Sequence, residues 1–220
     1  MHDKVINFPP LFVYEEPKVQ KNINKKKWIP KKPRRYLTLA QVKAMTKACR
    51  LKHRLHGARN ALLLKVMFRL GLRVSEATDL AWKFIDLENM IIHIVRKKNG
   101  LNHSYHFDKY DKGDAQLFRD LRNYRKKNLE SVYVFDNSRL EKLTRQRVYE
   151  IVHSSSLWAG LEIAAYPHML RHGCGHALAF GDVPTHTIQA TLGHRCISST
   201  QVYIAASDKQ ITKALKLTQI

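Results

Sequence analysis

Pro167-His168-Met169-Leu170-Arg171-His172 opens an apolar-periodic stretch that runs to Phe180. Proline suits the first turn of a helix, where its missing N–H leaves nothing unpaired. Three residues apart, His168 and Arg171 project from one face of that helix. Three further stretches stand in order around it. Upstream is Gly71-Leu72-Arg73-Val74-Ser75-Glu76, and downstream are Leu192-Gly193-His194-Arg195 and then Tyr203. Arg73 follows a glycine at a helix-to-helix turn, where a side chain can leave the core and reach a ligand.

Outward from these stretches the pattern is mainly helical. Thr38 and Gln41 form a capping box ahead of an apolar face made by Leu39, Val42, Ala44, Met45 and Ala48. Ala58 to Leu70, with its run Ala61-Leu62-Leu63-Leu64, predicts a second helix that stops at Gly71. Ser75 is placed to cap a third helix, Glu76 to Leu80. Met90 to Val95 and Leu101 to Phe107 read as strands joined at Asn99-Gly100, a type I′ turn signal. Asp114 to Asn128 reads as a basic helix and Ser131 to Phe135 as a short apolar strand. Helices are expected over 143–158, 167–180, 184–192, 199–206 and 208–217. The fold class is α+β, mainly α with a small antiparallel β-sheet and no internal repeats.

Residues 1–35 have a different composition. They hold five of the seven prolines, together with Lys25-Lys26-Lys27 and Lys31-Lys32-Pro33-Arg34-Arg35. Proline interrupts regular structure and like charges repel, so 1–35 reads as a basic, flexible arm. Residues 36–220 form the domain, with a C-terminal helix at 208–217. The chain carries 39 Lys+Arg against 18 Asp+Glu, a formal charge of +21. Such a charge implies a polyanionic partner, with nucleic acid ahead of an anionic membrane surface. No apolar run approaches the ~20 residues of a membrane span. The N-terminus lacks the basic-then-apolar order of a signal peptide. Cys49, Cys174 and Cys196 are odd in number and form no CxxC pair. They fit free, buried thiols in a reducing cytosol.

A phosphodiester is an anion that resists attack by another anion. Its catalyst must neutralise the non-bridging oxygens, activate a nucleophile and protonate the leaving oxygen. Arginine suits the first task, because its planar fork binds two phosphate oxygens and keeps its charge. A phenol with a pKa of about 10 is a weak nucleophile at neutral pH, and cationic neighbours lower that barrier. Covalent capture conserves the phosphodiester bond, so rejoining needs no ATP. Two arginines can do the work often given to metals. Each residue also has a plainer reading: Arg73 as the partner of Glu76, Tyr203 as core, Lys98 as a solvated hairpin lysine. His168, His172 and His176 recur at i, i+4 and i+8, but no HExxH or CxxC accompanies them. No metal or other cofactor is expected, and His172 and His176 read as packing or capping residues.

Together, these boxes resemble the signature of the tyrosine recombinases, the phage integrase family. The resemblance covers about residues 36–210. Within the family the chain most resembles the short fimbrial phase-switch DNA invertases, which share the His-Met-Leu-Arg-His box and the Lys-Asn-Gly hairpin. It implies a tyrosine-recombinase catalytic-domain fold. Tyr203 would be the nucleophile that forms a 3′-phosphotyrosyl bond, with Arg73 and Arg171 clamping the scissile phosphate. His168 would help position the phosphate and handle the nucleophile's proton, and His194 would donate a hydrogen bond to the phosphate. Lys98, with Lys97 as its neighbouring alternative, would protonate the 5′ leaving oxygen. Glu76 would support the first arginine. Most relatives carry an N-terminal helical domain of about a hundred residues where this chain has its arm.

The implied function is site-specific recombination of double-stranded DNA at paired sites by inversion, integration or excision. A homo-tetramer would assemble on the DNA, accessory DNA-bending proteins could take part, and no membrane is involved. Candidate DNA contacts are Lys25, Lys26, Lys27, Arg34 and Arg35 in the arm, Arg119, Arg122 and Lys126 in one basic helix, and Arg145 and Arg147 in another. Arg125, Lys127 and Arg139 extend the same faces. Two rivals use the same parts: a type IB topoisomerase, which would relax a single duplex, and a regulator that binds DNA without cutting it.

Overall fold

A computed structural model describes residues 35–53, 55–96, 102–201 and 203. The expected capping box is present. The Thr38 hydroxyl accepts from the Gln41 N–H at 3.3 Å, and Gln41 Oε1 accepts from the Thr38 N–H at 3.0 Å. It starts α1, Leu39–Lys52. Next comes α2, Gly57–Arg69, buried along nearly its whole length. A helix buried on nearly every side belongs in the middle of a domain. Accordingly, α2 packs against α1 and three helices described below, at 74–78, 112–126 and 167–180. Gly71, at φ 57°, ends the α2 segment as predicted.

The third helix, α3, is Val74–Thr78. It starts earlier than expected, because Arg73 rather than Ser75 is its N-cap. The Glu76 carboxylate reaches back to accept the Arg73 N–H at 2.9 Å, which fixes the start there. A single 3-10 turn, Trp82–Phe84, leads into a three-stranded antiparallel sheet. Its strands are β1 (Ile85–Asp86), β2 (Ile91–Ile94) and β3 (His103–His106). In register, Ile92 pairs with Ile85 on one side and Tyr105 on the other. Alternation puts Ile92 and Ile94 in the core and leaves His93 exposed. The Asn99-Gly100 turn lies outside the described residues.

Helix α4 spans Lys112–Lys126, two residues ahead of the expected start, because Asp111 caps the Asp114 N–H at 2.9 Å. Ser131 to Phe135 is not a strand. Its only ladder contact among the described residues is a bridge between Tyr133 and Ala81, while Val134 and Phe135 are fully buried. The segment pairs singly with neighbours and fills the core, so its β-prone composition builds no sheet. Helix α5, Arg145–Trp158, is capped by Thr144. Helix α6, Pro167–Phe180, has the predicted bounds. Helix α7 is Thr185–Leu192 and α8 is Ser198–Gln201. The last helix is shorter than expected among the described residues, and Tyr203 follows it in a turn.

The main core runs from Leu37 through α2 and the sheet to α5 and α6. A smaller cluster joins Cys174, Ile188, Leu192 and Tyr203. Cys49 and Cys174 are buried as expected, whereas Cys196 is exposed. No described helix is long and apolar enough to cross a membrane. The arm as far as residue 34 and the predicted 208–217 helix lie outside the described residues.

Candidate active site

Three guanidinium groups converge on three consecutive carbonyls. Arg96 donates to the Thr191 carbonyl at 2.6 Å, Arg171 to that of Leu192 at 2.7 Å, and Arg73 to that of Gly193 at 3.4 Å. These carbonyls close α7. The last carbonyls of a helix lack intrahelical donors and form the negative end of its dipole, so they suit cations. Gly193 is required twice over. Its φ of 62° is left-handed, and a Cβ there would come within 2.7 Å of Arg96 Nε.

Glu76 joins the same arginines from the other side. Its Oε1 accepts from Arg73 at 2.8 Å and its Oε2 from Arg96 at 2.5 Å, with Arg171 at 4.0 Å. Burial pushes the Glu76 carboxyl up, but Arg96 above all, then the Arg73 hydrogen bonds, hold it below its ordinary value. Arg171 also donates to the Gly71 carbonyl at 2.6 Å. Burial, then Arg73, pulls Arg171 down to about 10, which leaves it a cation at neutral pH. Three cations against one carboxylate leave a positive site. Arg96 and Arg171 are buried within it, while the Arg73 side chain is 29 % exposed. Such a site can take an anion at Arg73 and hold it with charges that cannot reorient.

The histidines surround this cluster. His168 is exposed on the first turn of α6, and its ring meets His172 edge-on at 4.5 Å. His194 follows Gly193 and pairs through Nδ1 with the Thr200 hydroxyl at 3.0 Å. Partial loss of solvent around the rings, then Arg171 and Arg73, lowers both histidines below the ordinary value, His194 to about 4. Neutral rings at pH 7 can donate to a phosphate from one nitrogen without adding charge.

Two tyrosines reach this region. The Tyr105 hydroxyl is committed to the fold: it accepts from Arg96 at 2.5 Å and donates to the Thr191 carbonyl. Tyr203 is packed beside the histidines and only 6 % exposed. Its ring lies parallel to that of His194 at 6.3 Å and edge-on to His176 at 5.2 Å. Beneath it is Gly175, where a Cβ would come within 2.7 Å of the ring. The phenol oxygen is 2.8 Å from His172 Nδ1. Burial raises the phenol above its ordinary value, and Arg171 opposes that shift.

Four predicted residues, Arg73, Glu76, Arg171 and His194, thus meet around the α7 terminus. His168 lies one turn before Arg171 on α6, and Tyr203 packs on His194. Lys98 and Lys97 lie outside the described residues. The strand leading to them is anchored, since Arg96 binds the α7 end and its N–H donates to Asn102 Oδ1 at 3.0 Å.

The predicted DNA contacts separate into groups. Arg145 lines an open cleft of about 440 Å³ with Arg73, Ser75, Gln146, Tyr149 and His168. Arg119, Arg122 and Lys126 line a different cleft, of about 350 Å³, with Lys109 and Glu88. Arg147 pairs with Glu150 at 2.8 Å. Arg125 binds the carbonyls of Asn128 and Ser131 and lies over the Trp82 ring, so it serves the fold. Arg35 is exposed, and Lys25, Lys26, Lys27 and Arg34 lie outside the described residues.

Sequence reasoning missed Arg96 and the hydrogen bond between His172 and the Tyr203 hydroxyl. Arg96 precedes Lys97-Lys98 and looks like one more solvated hairpin cation. For His172 a signal was present: it lies four residues after His168, on the same helix face, and next to Arg171.

A small helical domain whose arginines, histidines and tyrosine gather beside an open cleft defines a tyrosine-type recombinase catalytic domain. Residues 35–210 match the Phage integrase family model, and the chain belongs to that family. It is 35 % identical over 176 residues to the type 1 fimbriae regulatory protein FimE of Escherichia coli strain K12, a match covering 79 % of this chain and 87 % of FimE. In fold it is similar to XerA recombinase, with a TM-score of 0.68 at 20 % identity over 87 % of this chain and 67 % of that one. It is similar also to XerH site-specific recombinase bound to its difH substrate in a pre-cleavage complex. That TM-score is 0.69 at 22 % identity, over 86 % of this chain and 56 % of XerH.

Proposed function

We propose that this chain cuts and rejoins double-stranded DNA at paired sites through a 3′-phosphotyrosyl intermediate on Tyr203. The outcome is inversion, integration or excision of the DNA between the sites. One observation carries this reading: Arg73, Arg171 and His194 meet at the end of α7, and the Tyr203 ring packs parallel to His194.

In this reading Arg73, the more exposed arginine, meets the phosphate first, and Arg171 completes the clamp. His168 and His194 donate to its oxygens as neutral rings. The Tyr203 oxygen attacks phosphorus, and the 5′ oxygen leaves with a proton from Lys98. The 5′ hydroxyl of a second strand then attacks the phosphotyrosine and releases the enzyme.

Recombination needs two cut sites held together. We therefore read the working form as a homo-tetramer on DNA in the bacterial cytoplasm, with accessory DNA-bending proteins as possible additions. XerH, one of the proteins similar in fold, is described in complex with its DNA substrate. The arm of residues 1–35, with ten Lys/Arg against three Asp/Glu, would track phosphates beside the core site. Arg145, next to Arg73 and His168, would touch the backbone nearest the cut.

The test is a nicked suicide substrate that traps the covalent intermediate. The full chain is expected to form a denaturation-resistant adduct and Tyr203→Phe none. A wild-type chain that binds this DNA without ever forming the adduct is a non-cutting regulator. A chain that relaxes supercoils but never exchanges paired sites acts as a topoisomerase.

A further inference from the structure

Among the described residues the phenol of Tyr203 has one close polar neighbour, and it is not the histidine that the resemblance assigns to the nucleophile's proton. His172 Nδ1 stands 2.8 Å from the hydroxyl oxygen. The ring of His168 meets His172 instead of Tyr203. We propose that His172 is the catalytic base of Tyr203, taking the phenolic proton on Nδ1 as the oxygen attacks phosphorus. This inference rests on the reading of Tyr203 as nucleophile.

In the forward step the Oη–H bond breaks and its proton goes to Nδ1, while the Oη–P bond forms. The P–O5′ bond breaks, and O5′ leaves with a proton from the leaving-group acid, Lys98. In rejoining, the imidazolium of His172 returns its proton to Oη as the phenol departs.

His172 is suited to this role by where it sits. It follows Arg171 on a continuous helix, so the residue that fixes the phosphate also fixes the base. Gly175, one turn along, gives the Tyr203 ring its close approach to that helix. The charged or titratable groups around His172 are His168, Arg171 and His176 on α6, with Tyr203 and His194 packed against them. Burial, then His168 and His176, holds the ring down at about 4, so it is unprotonated and ready to accept at neutral pH. An incoming phosphate between Arg73 and Arg171 brings negative charge that favours the imidazolium. The base therefore strengthens when substrate is bound.

The test compares single-turnover adduct formation on the suicide substrate. His172→Asn places an amide oxygen near the position of Nδ1, so a hydrogen bond can persist but no proton can be taken. Adduct formation is expected to slow by about 10²-fold or more, with DNA affinity unchanged. A substrate with sulfur in place of the bridging 5′ oxygen needs no protonation on leaving, and it is expected to leave the loss in His172→Asn unrepaired. A fluorinated, more acidic tyrosine at position 203 is expected to speed His172→Asn more than it speeds the wild type. That ratio is taken within one variant, so a loss of folded protein does not obscure it. His172→Asn cleaving at the wild-type rate, or being restored by the sulfur substrate, overturns the inference. An adduct formed by Tyr203→Phe would instead overturn the reading on which it rests.

Discussion

The cleft beside Arg73 and His168 and the cleft beneath Arg119 and Lys126 both gather cations, yet only the first holds them fixed. In the first, Arg96 and Arg171 are buried, and their guanidinium groups are tied to Glu76 and to the carbonyls of residues 71, 191 and 192. In the second, Lys109, Arg119 and Lys126 are exposed, Lys109 over the Tyr110 ring, while Arg122 is tethered to the Leu87 carbonyl at 2.5 Å. Burying a cation costs solvation, which the carboxylate and carbonyls offset. The return is a field already oriented before the phosphate reaches its transition state. Exposed cations on long side chains give up little solvation and supply salt-sensitive affinity instead. On the proposed reading, similar residue types thus support chemistry in one place and adhesion in the other.

The sharpest way to break this contrast is Arg171→Lys. An ammonium cannot hold the carbonyls of Gly71 and Leu192 and a phosphate together. Single-turnover cleavage is expected to fall by about 10²–10³-fold, the usual cost of one preorganised donor. Equal cleavage by the lysine variant would mean that charge alone suffices, and the two clefts would then differ only in depth.

Glu76→Gln tests the anchor beneath the arginines. It leaves Arg96 buried without its carboxylate, and about 3 kcal/mol of stability is expected to go, read from chemical denaturation at pH 7. Acid sharpens the point. The folded Glu76 pKa lies below its ordinary value, so its stabilisation is present above the unfolded value of about 4.3. It is lost as pH falls through the folded value. The stability curve of Glu76→Gln should therefore be flatter than the wild type's in that acid range.

Gly175→Ala addresses placement alone. Alanine favours the helix, but its Cβ would press on the Tyr203 ring. Adduct formation is expected to drop by up to ~10²-fold through misplacement of the nucleophile, with the melting temperature little changed. An unaffected rate would show that the packed position of Tyr203 is not one it uses for cutting.

The smallest effect belongs to the outer cleft. Arg119→Ala combined with Lys126→Ala should leave cleavage at saturating DNA unchanged. The slope of log affinity against log salt should fall by about 0.9 for each phosphate that is no longer neutralised. A drop in cleavage at saturation would move this cleft into the chemistry.

Much of this domain is legible in the sequence because its signals are local. The capping box at Thr38, Pro167 at the start of α6 and glycines 71 and 193 at helix ends each act within a few residues. The four boxes likewise carry Arg73, His168, Arg171, His194 and Tyr203 in readable order. Arg96 is hidden because its partners, Glu76 and Thr191, are 20 and 95 residues away. Ser131 to Phe135 misleads because residues that favour strands also fill cores. Ser75 looks like a cap until Glu76 is seen reaching back to Arg73. The split of the basic residues between two clefts depends on helix packing, which charge counts do not contain.

The turn at residues 191–193 also sets an order in time. Arg73 and Arg96 emerge from the ribosome about a hundred residues before the carbonyls that hold them, and Tyr203 emerges later still. Domains are made from the N-terminus onward, so a growing chain that ends before α7 can tie Arg73 and Arg96 to Glu76 but lacks the carbonyls of residues 191–193 and Tyr203. On the proposed reading, such a chain carries cations for DNA but lacks the group that breaks it. The capacity to cut, on that reading, arises only after the turn at residues 191–193 has been made.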